Sequence, residues 1–276
     1  MTLTKLIKYT QLPSSEYSQQ TLGIHSGTRI ETDQILLQPI QLDRDAPLLW
    51  EVYKNHTYLF NYMPHGALET YEEFYKIQER FCQSSDFFNW VCYVSAHPRE
   101  DPEKKKWVLC GSICLLDISL PFRRFEVGSI WFHPAVQSTF VMLETTYALL
   151  RFSFERLQAG RVQWKTHSEN IASQKAATKL GFDLDGLHRK HIIHSDGTWR
   201  HTYFYSMTDD DWFGREETRD GRRGLDVAST AEATTAEQAR KEAQGRQRRL
   251  EELIAERKRG GKALPSIVVE GGALSA

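Results

Sequence analysis

The sequence predicts a mixed α/β domain built on one sheet and followed by a charged tail. Three short runs rich in Val, Ile, Phe and Trp follow one another between turn residues, which is typical of an antiparallel meander. The third run, a long apolar helical pattern and a fourth run then form a β–helix–β unit. Every Phe, Trp, Tyr, His, Cys and Met lies before Gly214, and a segment without large apolar anchors does not offset the cost of ordering its backbone.

The first half of the domain alternates strand and helix signals. Residues 34–43 (QILLQPIQLD) predict a strand that ends in Asp43, the expected N-cap of a first helix. Residues 68–83 predict a second helix, with apolar positions on one face and acidic residues in its first turn. The meander then follows as strands 87–96, 106–118 and 124–134.

The second half begins with the longest helical pattern of the domain. Residues 138–160 predict a largely buried helix closed by Gly160, and the alternating run 161–167 predicts a strand. A short helix follows within 167–182, and a hairpin turns at Asp196-Gly197, a strong local turn signal. The middle strands therefore flank a β–helix–β unit.

We expect three regions along the chain. Residues 1–27 form a polar N-terminal arm, residues 28–213 the folded domain, and residues 214–276 a charged tail that is helical or disordered. The tail has apolar anchors only near Leu250, Leu253 and Ile254, so we expect a solvated helix, with a partner-binding helix as the alternative.

Composition excludes several classes of protein. The 35 basic and 36 acidic residues give a formal net charge of −1, without the basic excess of a nucleic-acid-binding surface. The four Cys are too few and too irregularly spaced for a disulfide scaffold or a structural zinc site. No secretory core or 18-residue apolar run is present. We expect a cytoplasmic protein that does not bind membranes, as a monomer or homodimer.

Five short motifs follow one another in the second half of the predicted domain. They are EVGSIWFHP at 126–134, LET at 143–145, FSFERLQAGRV at 152–162, NIASQKAATKLGFDLDGLHR at 170–189 and GTWRHTYFYS at 197–206. With the order of elements, they resemble the GNAT acetyltransferases, and most of all the branch that modifies ribosomal proteins and small substrates. Each motif alone is weak, and their shared order over about residues 34–212 carries the resemblance.

The resemblance implies an acetyl-CoA-dependent N-acetyltransferase that needs no metal. In that family the diphosphate of acetyl-CoA rests on the turn that opens the long helix, where free N–H groups and the helix dipole attract phosphate. The pantetheine arm lies between two splayed strands, here 124–133 and 161–167. The implied cofactor contacts are Phe132, His133, Gln137, Ser138, Thr139, Phe140, Val141, Asn170 and Ser173.

The phosphate turn departs from the family pattern. Relatives have Arg/Gln-x-x-Gly-x-Gly/Ala, in which the glycines let the backbone approach the phosphates. Here the turn is VQSTFVM, residues 136–142, so Gln137 is kept while Ser138 and Phe140 stand where glycines are expected. The ring of Phe140 therefore either turns away from the site or blocks it.

The first turn of the short helix has two interpretations. Asn170 and Ser173 occupy the N-cap and N3 positions, which helix-start preferences explain without catalysis. The resemblance implies instead that Asn170 bonds the cofactor arm and that Ser173 protonates the departing thiolate as general acid. Many relatives use a Tyr at the position of Ala177, which makes Ser173 the better candidate here.

The reaction also needs a general base, because an ammonium with a reference pKa of about 10.4 does not attack a thioester. The resemblance implies Glu126 or His191, and imidazole suits neutral pH. A structural carboxylate, an ordinary strand histidine and a water chain are the alternatives. Strict alternation puts His188 and His194 on one face of their strand and His191 on the other, which predicts no compact metal site.

The acceptor pocket is expected between the early helices and the final hairpin. Its candidate residues are Tyr58, Phe60, Tyr62 and His65, whose aromatic character favours a small or amphipathic amine. A catalytically weak module that binds acyl-CoA or a partner is the alternative to an enzyme, since the turn lacks glycines. A scaffold organised by the tail is a third hypothesis.

Overall fold

The computed structural model describes residues 8–11, 28–98, 101, 103–213, 233–269 and 273–274. Nine strands among these residues form one sheet in the order β1-β2-β3-β4-β5-β6-β7-β9-β8. Their bounds are β1 Lys8–Gln11, β2 Thr28–Glu31, β3 Ile35–Pro39, β4 Phe88–Val94, β5 Val108–Ser119, β6 Arg124–Phe132, β7 Arg161–His167, β8 Asp183–Ile193 and β9 Trp199–Thr208. Described neighbours are antiparallel except β6 and β7, which are parallel.

Helices cover both faces of this sheet. The α-helices are α1 Leu42–Tyr53, α2 Tyr71–Gln83, α3 Val141–Arg151, α4 Ile171–Leu180, α5 Asp209–Phe213, α6 Ala233–Gly260 and α7 Ser266–Val269. Short 3-10 turns lie at Thr57–Phe60 and Pro134–Val136, and a π-helical turn at Phe152–Arg156 continues α3.

The alternation of β4 separates two apolar cores. Val91 packs on one face with Leu49 of α1 and Phe74 of α2. Trp90 and Cys92 pack on the other face with the residues of α3. Because successive side chains of a strand point to opposite faces, one run of apolar residues serves both layers.

The predicted meander, the β–helix–β unit and the hairpin are confirmed. Two local details differ. Asp43 is not the N-cap, because α1 begins at Leu42 and Asp45 Oδ2 accepts the Gln41 N–H at 2.7 Å. The predicted helix 138–160 begins at Val141 and its last turn ends at Arg156.

The two ends of the chain also correct the expectations. Residues 8–11 of the expected arm form a strand, and its other residues lie outside those described. The tail is helical over Ala233–Gly260, but its second half is not simply solvated, because Leu250 and Ile254 are buried in the core around α3. Residues 214–232 lie outside the described part.

The four cysteines are buried free thiols, as expected for small core residues. No helix in the described part of the chain is both long and apolar enough to span a bilayer.

Candidate active site

The parallel strands β6 and β7 part along most of their length. In the part of the chain that the structure describes, they pair only over Arg124–Glu126 and Arg161–Gln163. On their outer sides β6 stays paired with β5 and β7 with β9. Residues 127–132 of β6 and 164–167 of β7 therefore face each other across a gap, which we call the wedge.

A bulge in β6 lies where the separation begins. Between its pairings at Gly128 and Trp131, β6 has two residues where β5 has one, Ile113. Ser129, within the bulge, has a left-handed φ of 47°, and such bulges bend a strand. The bent backbone approaches Gly111 so closely that a Cβ there would lie 2.2 Å from the carbonyl oxygen of Trp131.

The turn between β6 and α3 offers backbone amides beyond the open end of the wedge. Ser138 adopts φ 65°, the left-handed conformation that favours glycine, so the backbone shape is kept without one. The first intrahelical bond of α3 runs from the Glu144 N–H to Phe140 O at 2.9 Å. The N–H groups of Met142 and Leu143 precede it in the chain and therefore have no acceptor within the helix. Such amides, with the helix dipole, attract phosphate.

Phe140 turns away from the turn. Its ring is 5% exposed and packs in the core around α3, and Val141 beside it is fully buried. These two residues therefore offer a ligand only their backbone. Gln137 secures the turn, because its Nε2 donates to Phe132 O at 2.9 Å.

The first turn of α4 has the expected helix cap and leaves the Ser173 hydroxyl proton without an acceptor among the described residues. Asn170 is the N-cap, and its side-chain oxygen accepts the Ser173 N–H at 3.1 Å. Trp164 of β7 donates its indole N–H to Ser173 Oγ at 2.9 Å. Because an indole nitrogen only donates, Ser173 Oγ must accept, and its own proton remains available for another acceptor.

A charged cluster occupies the closed end of the wedge. Lys165 Nζ lies 2.6 Å from Asp117 Oδ2 and 2.9 Å from Glu126 Oε2, which joins β7 to β5 and β6. Burial raises the pKa of the Glu126 carboxyl, and Lys165 offsets only part of that shift. Burial lowers the pKa of Lys165, but the carboxylates of Glu126 and Asp117 outweigh burial, so its pKa is raised. The structure therefore shows Glu126 as the ion-pair partner of Lys165.

His191 lies beside this cluster, on an unexpected face. Its ring packs against Phe204 at 4.9 Å, as does the ring of His188 at 3.8 Å, so both histidines share one face of the hairpin. The expected alternation is wrong because the register shifts between His188 and Ile192, and Lys190 takes φ 51°. Among the described residues, no group of three or more His, Cys, Asp or Glu is arranged to hold a metal ion.

His191 carries the electrostatic features of a base. Its Nδ1 lies 3.2 Å from Thr202 Oγ1. Burial lowers the pKa of His191, and the positive charge of Lys165 lowers it further. The imidazole is therefore neutral at neutral pH and can accept a proton.

The residues implied for the acceptor pocket separate into two groups. Tyr62 lies 5.3 Å from the His167 ring at the end of β7, and the turn after it bonds to the hairpin, where Ser195 N–H donates to Pro64 O at 2.9 Å. Tyr58 is 55% exposed. Burial lowers the pKa of His65, so it is neutral and suits an apolar pocket.

Phe60 belongs to the core rather than to the pocket. It is 2% exposed and stacks on Tyr53 at 4.4 Å. His133, another implied contact, faces inward as well, since its Nε2 lies 3.3 Å from His56 Nε2 and its Nδ1 accepts the Ala135 N–H.

Sequence reasoning missed four polar side chains at this site. Lys165, Trp164 and Gln163 lie on β7, where an alternating strand predicts two faces but not their partners. Arg200 is 6% exposed and donates to Tyr62 O at 3.2 Å, which joins the hairpin to the early loop. The signal for Lys165 and Arg200 was a cation inside a predicted strand, since a cation that becomes buried there needs partners.

Comparison with known proteins identifies the class of molecule. The sequence model described as "Acetyltransferase (GNAT) domain" matches residues 34–183. The "Uncharacterized N-acetyltransferase YnaD" of Bacillus subtilis is 24% identical over 125 residues, which are 44% of this chain and 72% of that protein.

Solved structures share the fold. A probable acetyltransferase of the GNAT family from Chromobacterium violaceum superposes with a TM-score of 0.60 at 22% identity, over 74% of this chain and 91% of that one. RimJ of Mycobacterium smegmatis, in complex with CoA-disulfide, gives a TM-score of 0.51 at 16% identity, over 63% and 81% of the two chains.

The fold and its family match define an acyltransferase. More narrowly, the chain belongs to the GNAT acetyltransferase family, whose co-substrate is acetyl-CoA.

Proposed function

We propose that the protein transfers the acetyl group of acetyl-CoA to a primary amine, by direct attack within a ternary complex. The observation that carries the proposal is the wedge, because two parallel strands that part beyond Glu126 and Gln163 leave room and backbone groups for a pantetheine arm. RimJ, whose fold this chain shares, is described in complex with CoA-disulfide, which supports a donor built on coenzyme A.

The donor enters on the face of α3 and α4. Its diphosphate is bound by the amides at the start of α3 and by the hydroxyl of Ser138. The Thr139 hydroxyl is buried and donates to Val136 O at 2.6 Å, so it belongs to the turn and not to the ligand site. A backbone N–H of β6 within the wedge polarises the thioester carbonyl. The side-chain oxygen of Asn170 caps α4, and its side-chain NH2 group donates to the pantetheine arm.

Ser173 protonates the departing thiolate. The indole of Trp164 fixes Ser173 Oγ as an acceptor at 2.9 Å, which directs the hydroxyl proton away from the indole and toward the sulfur. Trp164 is thus a positioning residue for the acid.

The amine approaches from the opposite face, that of Gln163 and Lys165. These two residues share one face of β7 because they are two positions apart, and the neighbouring Val162 and Trp164 point into the core around α3. The buried Gln163 Oε1 has no hydrogen-bond partner within the described residues, so it can accept an N–H of the incoming amine. His191 accepts the proton of that amine, because its imidazole is neutral and Glu126 is held by Lys165.

The acceptor is a small or amphipathic amine. The aromatic surface of Tyr62 and the neutral rings of His65 and His167 favour a molecule with an apolar body, since burial lowers the pKa of both imidazoles. A protein N-terminus, an amino acid and a specialised metabolite all have this chemistry.

The test combines calorimetry with acetyl-CoA and a free-thiol assay over a panel of amines. We expect micromolar binding and thiol release with at least one amine, together with loss of release in Ser173→Ala at unchanged binding. Tight binding with no thiol release from any amine supports the alternative, a catalytically weak module that binds acyl-CoA. That alternative is considered because the phosphate turn lacks the glycines of the family pattern.

A further inference from the structure

The second half of α6 packs against the domain beside the phosphate turn. Leu250 and Ile254 are 2% and 1% exposed, and their spacing of four residues puts them on one face of the helix. Tyr147 of α3 donates its hydroxyl to Glu251 at 2.8 Å. This segment lies outside residues 34–183, the part that matches the family.

One cation of α6 forms an ion pair that holds the helix against α3. Lys258 Nζ lies 2.8 Å from Glu144 Oε2, a fully buried carboxylate in the first turn of α3. The same ammonium lies 4.9 Å from the centre of the Phe140 ring. Lys258 therefore fixes the end of α6 against the start of α3.

Two further cations of this segment reach the phosphate turn. Arg257 Nη1 lies 3.5 Å from Ser138 O, and Lys262 Nζ donates to Gln137 O at 3.2 Å. Both contacts are made to carbonyl oxygens. The amides of Met142 and Leu143 thus stay free of this segment, and positive charge is added beside them.

An open surface cavity of about 520 Å³ lies between α4, β9 and α6, and Lys175, Lys179, Tyr205 and Arg249 help to line it. Burial lowers the pKa of Lys179, and the nearby Arg257 lowers it further, so these two cations are neighbours. Burying like charges together is unfavourable unless an anion joins them.

The cations in and near this cavity have no carboxylate partners among the residues that the structure describes. Within the described part of the chain, ion pairs involve other Lys and Arg residues, and none involves the set that we call the basic rim: Lys175, Lys179, Arg249, Arg257 and Lys262. A surface charge without a partner near a cavity is available to a ligand of opposite charge.

We propose that α6 forms one wall of the acyl-CoA site, and that the basic rim binds the phosphates at the adenosine end of the ligand. This inference rests on the proposed function. Coenzyme A ends in a diphosphate and a 3′-phosphate, and Lys and Arg side chains match such groups. The tail thus adds side-chain cations to the backbone amides that the phosphate turn already offers.

Calorimetry with coenzyme A and with 3′-dephospho-coenzyme A tests this proposal. The test variant is the double substitution Arg249→Gln, Arg257→Gln, and the matched control is Arg248→Gln, an exposed neighbour on the same helix that pairs with Glu252. We expect the double variant to bind coenzyme A at least tenfold more weakly, because it loses two charge-assisted contacts to phosphate. The control should bind like the wild type.

Each outcome decides between explanations. A smaller loss for 3′-dephospho-coenzyme A than for coenzyme A supports contact with the 3′-phosphate. Unchanged or tighter binding by the folded double variant overturns the proposal, and tighter binding identifies α6 as an obstruction. If the wild type binds neither ligand, the proposed function itself fails.

Discussion

The two ends of the wedge differ in how their charges are partnered. At the closed end, Lys165 lies between Asp117 and Glu126, and all three charges are satisfied within the fold. At the open end, the cations of the basic rim have no carboxylate partners in the described part of the chain. The difference supports the proposal that the charge at the open end is reserved for a ligand. Neutral reactants meet beside a compensated cluster, and an anionic ligand end meets uncompensated cations.

Lys258 is the exception to this contrast, because it is a cation of the open end with a buried anionic partner. Lys258→Met leaves the Glu144 carboxylate buried without a cation, and we expect a loss of about 3–5 kcal/mol in the free energy of unfolding. Urea denaturation measures it. Arg248→Met, which removes an exposed pair, should cost less than about 1 kcal/mol. Equal losses in the two variants would remove the structural role given to Lys258.

The closed end is tested by separating the two candidate bases. His191→Asn should lower kcat by about 100-fold or more, which is the range for loss of a general base. The neutral imidazole is the active form, so wild-type activity should fall as pH drops through the pKa of His191, which lies below the usual 6.5. The pH profile of kcat measures both effects. Glu126→Gln should still show the fall of kcat at low pH. If that fall persists in His191→Asn and disappears in Glu126→Gln, Glu126 is the base.

The start of α4 allows its structural and chemical roles to be distinguished. Asn170→Ala removes the cap of α4 and should cost about 1 kcal/mol in unfolding free energy. Ser173→Ala keeps the cap acceptor but leaves the Trp164 indole N–H without a partner, so it should lower kcat and also cost about 1–3 kcal/mol in unfolding free energy. Paired urea and steady-state measurements compare the two. A stability loss confined to Ser173→Ala would contradict the arrangement.

The smallest effect is expected at the His56–His133 pair, beside the wedge. Burial and the neighbouring His56 lower the pKa of His133, so its contribution to stability is present above the unfolded pKa of about 6.5 and is lost as pH falls. His133→Asn keeps an acceptor for the Ala135 N–H and should flatten the loss of unfolding free energy between pH 8 and pH 5.5. An unchanged slope would assign the pH dependence to other groups.

Local signals in the sequence were enough to predict most of the fold. The strands around the bulge, the helix start at Asn170 and the hairpin turn at Gly197 follow from periodicity, capping preference and turn chemistry. The splay of β6 and β7 followed only from the family resemblance. These features depend on neighbouring residues or on motifs that stand in a shared order.

Features built from distant segments escaped prediction. The pairing of Lys258 with Glu144 joins residues 114 positions apart, and no local pattern reports it. Phe60 and Tyr62 lie in one aromatic run, yet Phe60 is buried and Tyr62 is 39% exposed, because Phe60 ends a 3-10 turn at Thr57–Phe60 and Tyr62 lies beyond it. His191 changed face through a register shift that alternation does not foresee.

The central claim is that the wedge receives the donor, with its anionic end at α3 and the basic rim. A crystal structure of the protein with coenzyme A tests it most directly. The account predicts the pantetheine arm between residues 127–132 and 164–167, and the phosphates within reach of the amides of Met142 and Leu143 and of Arg257. Coenzyme A bound elsewhere, or β6 and β7 paired along their whole length, would contradict it.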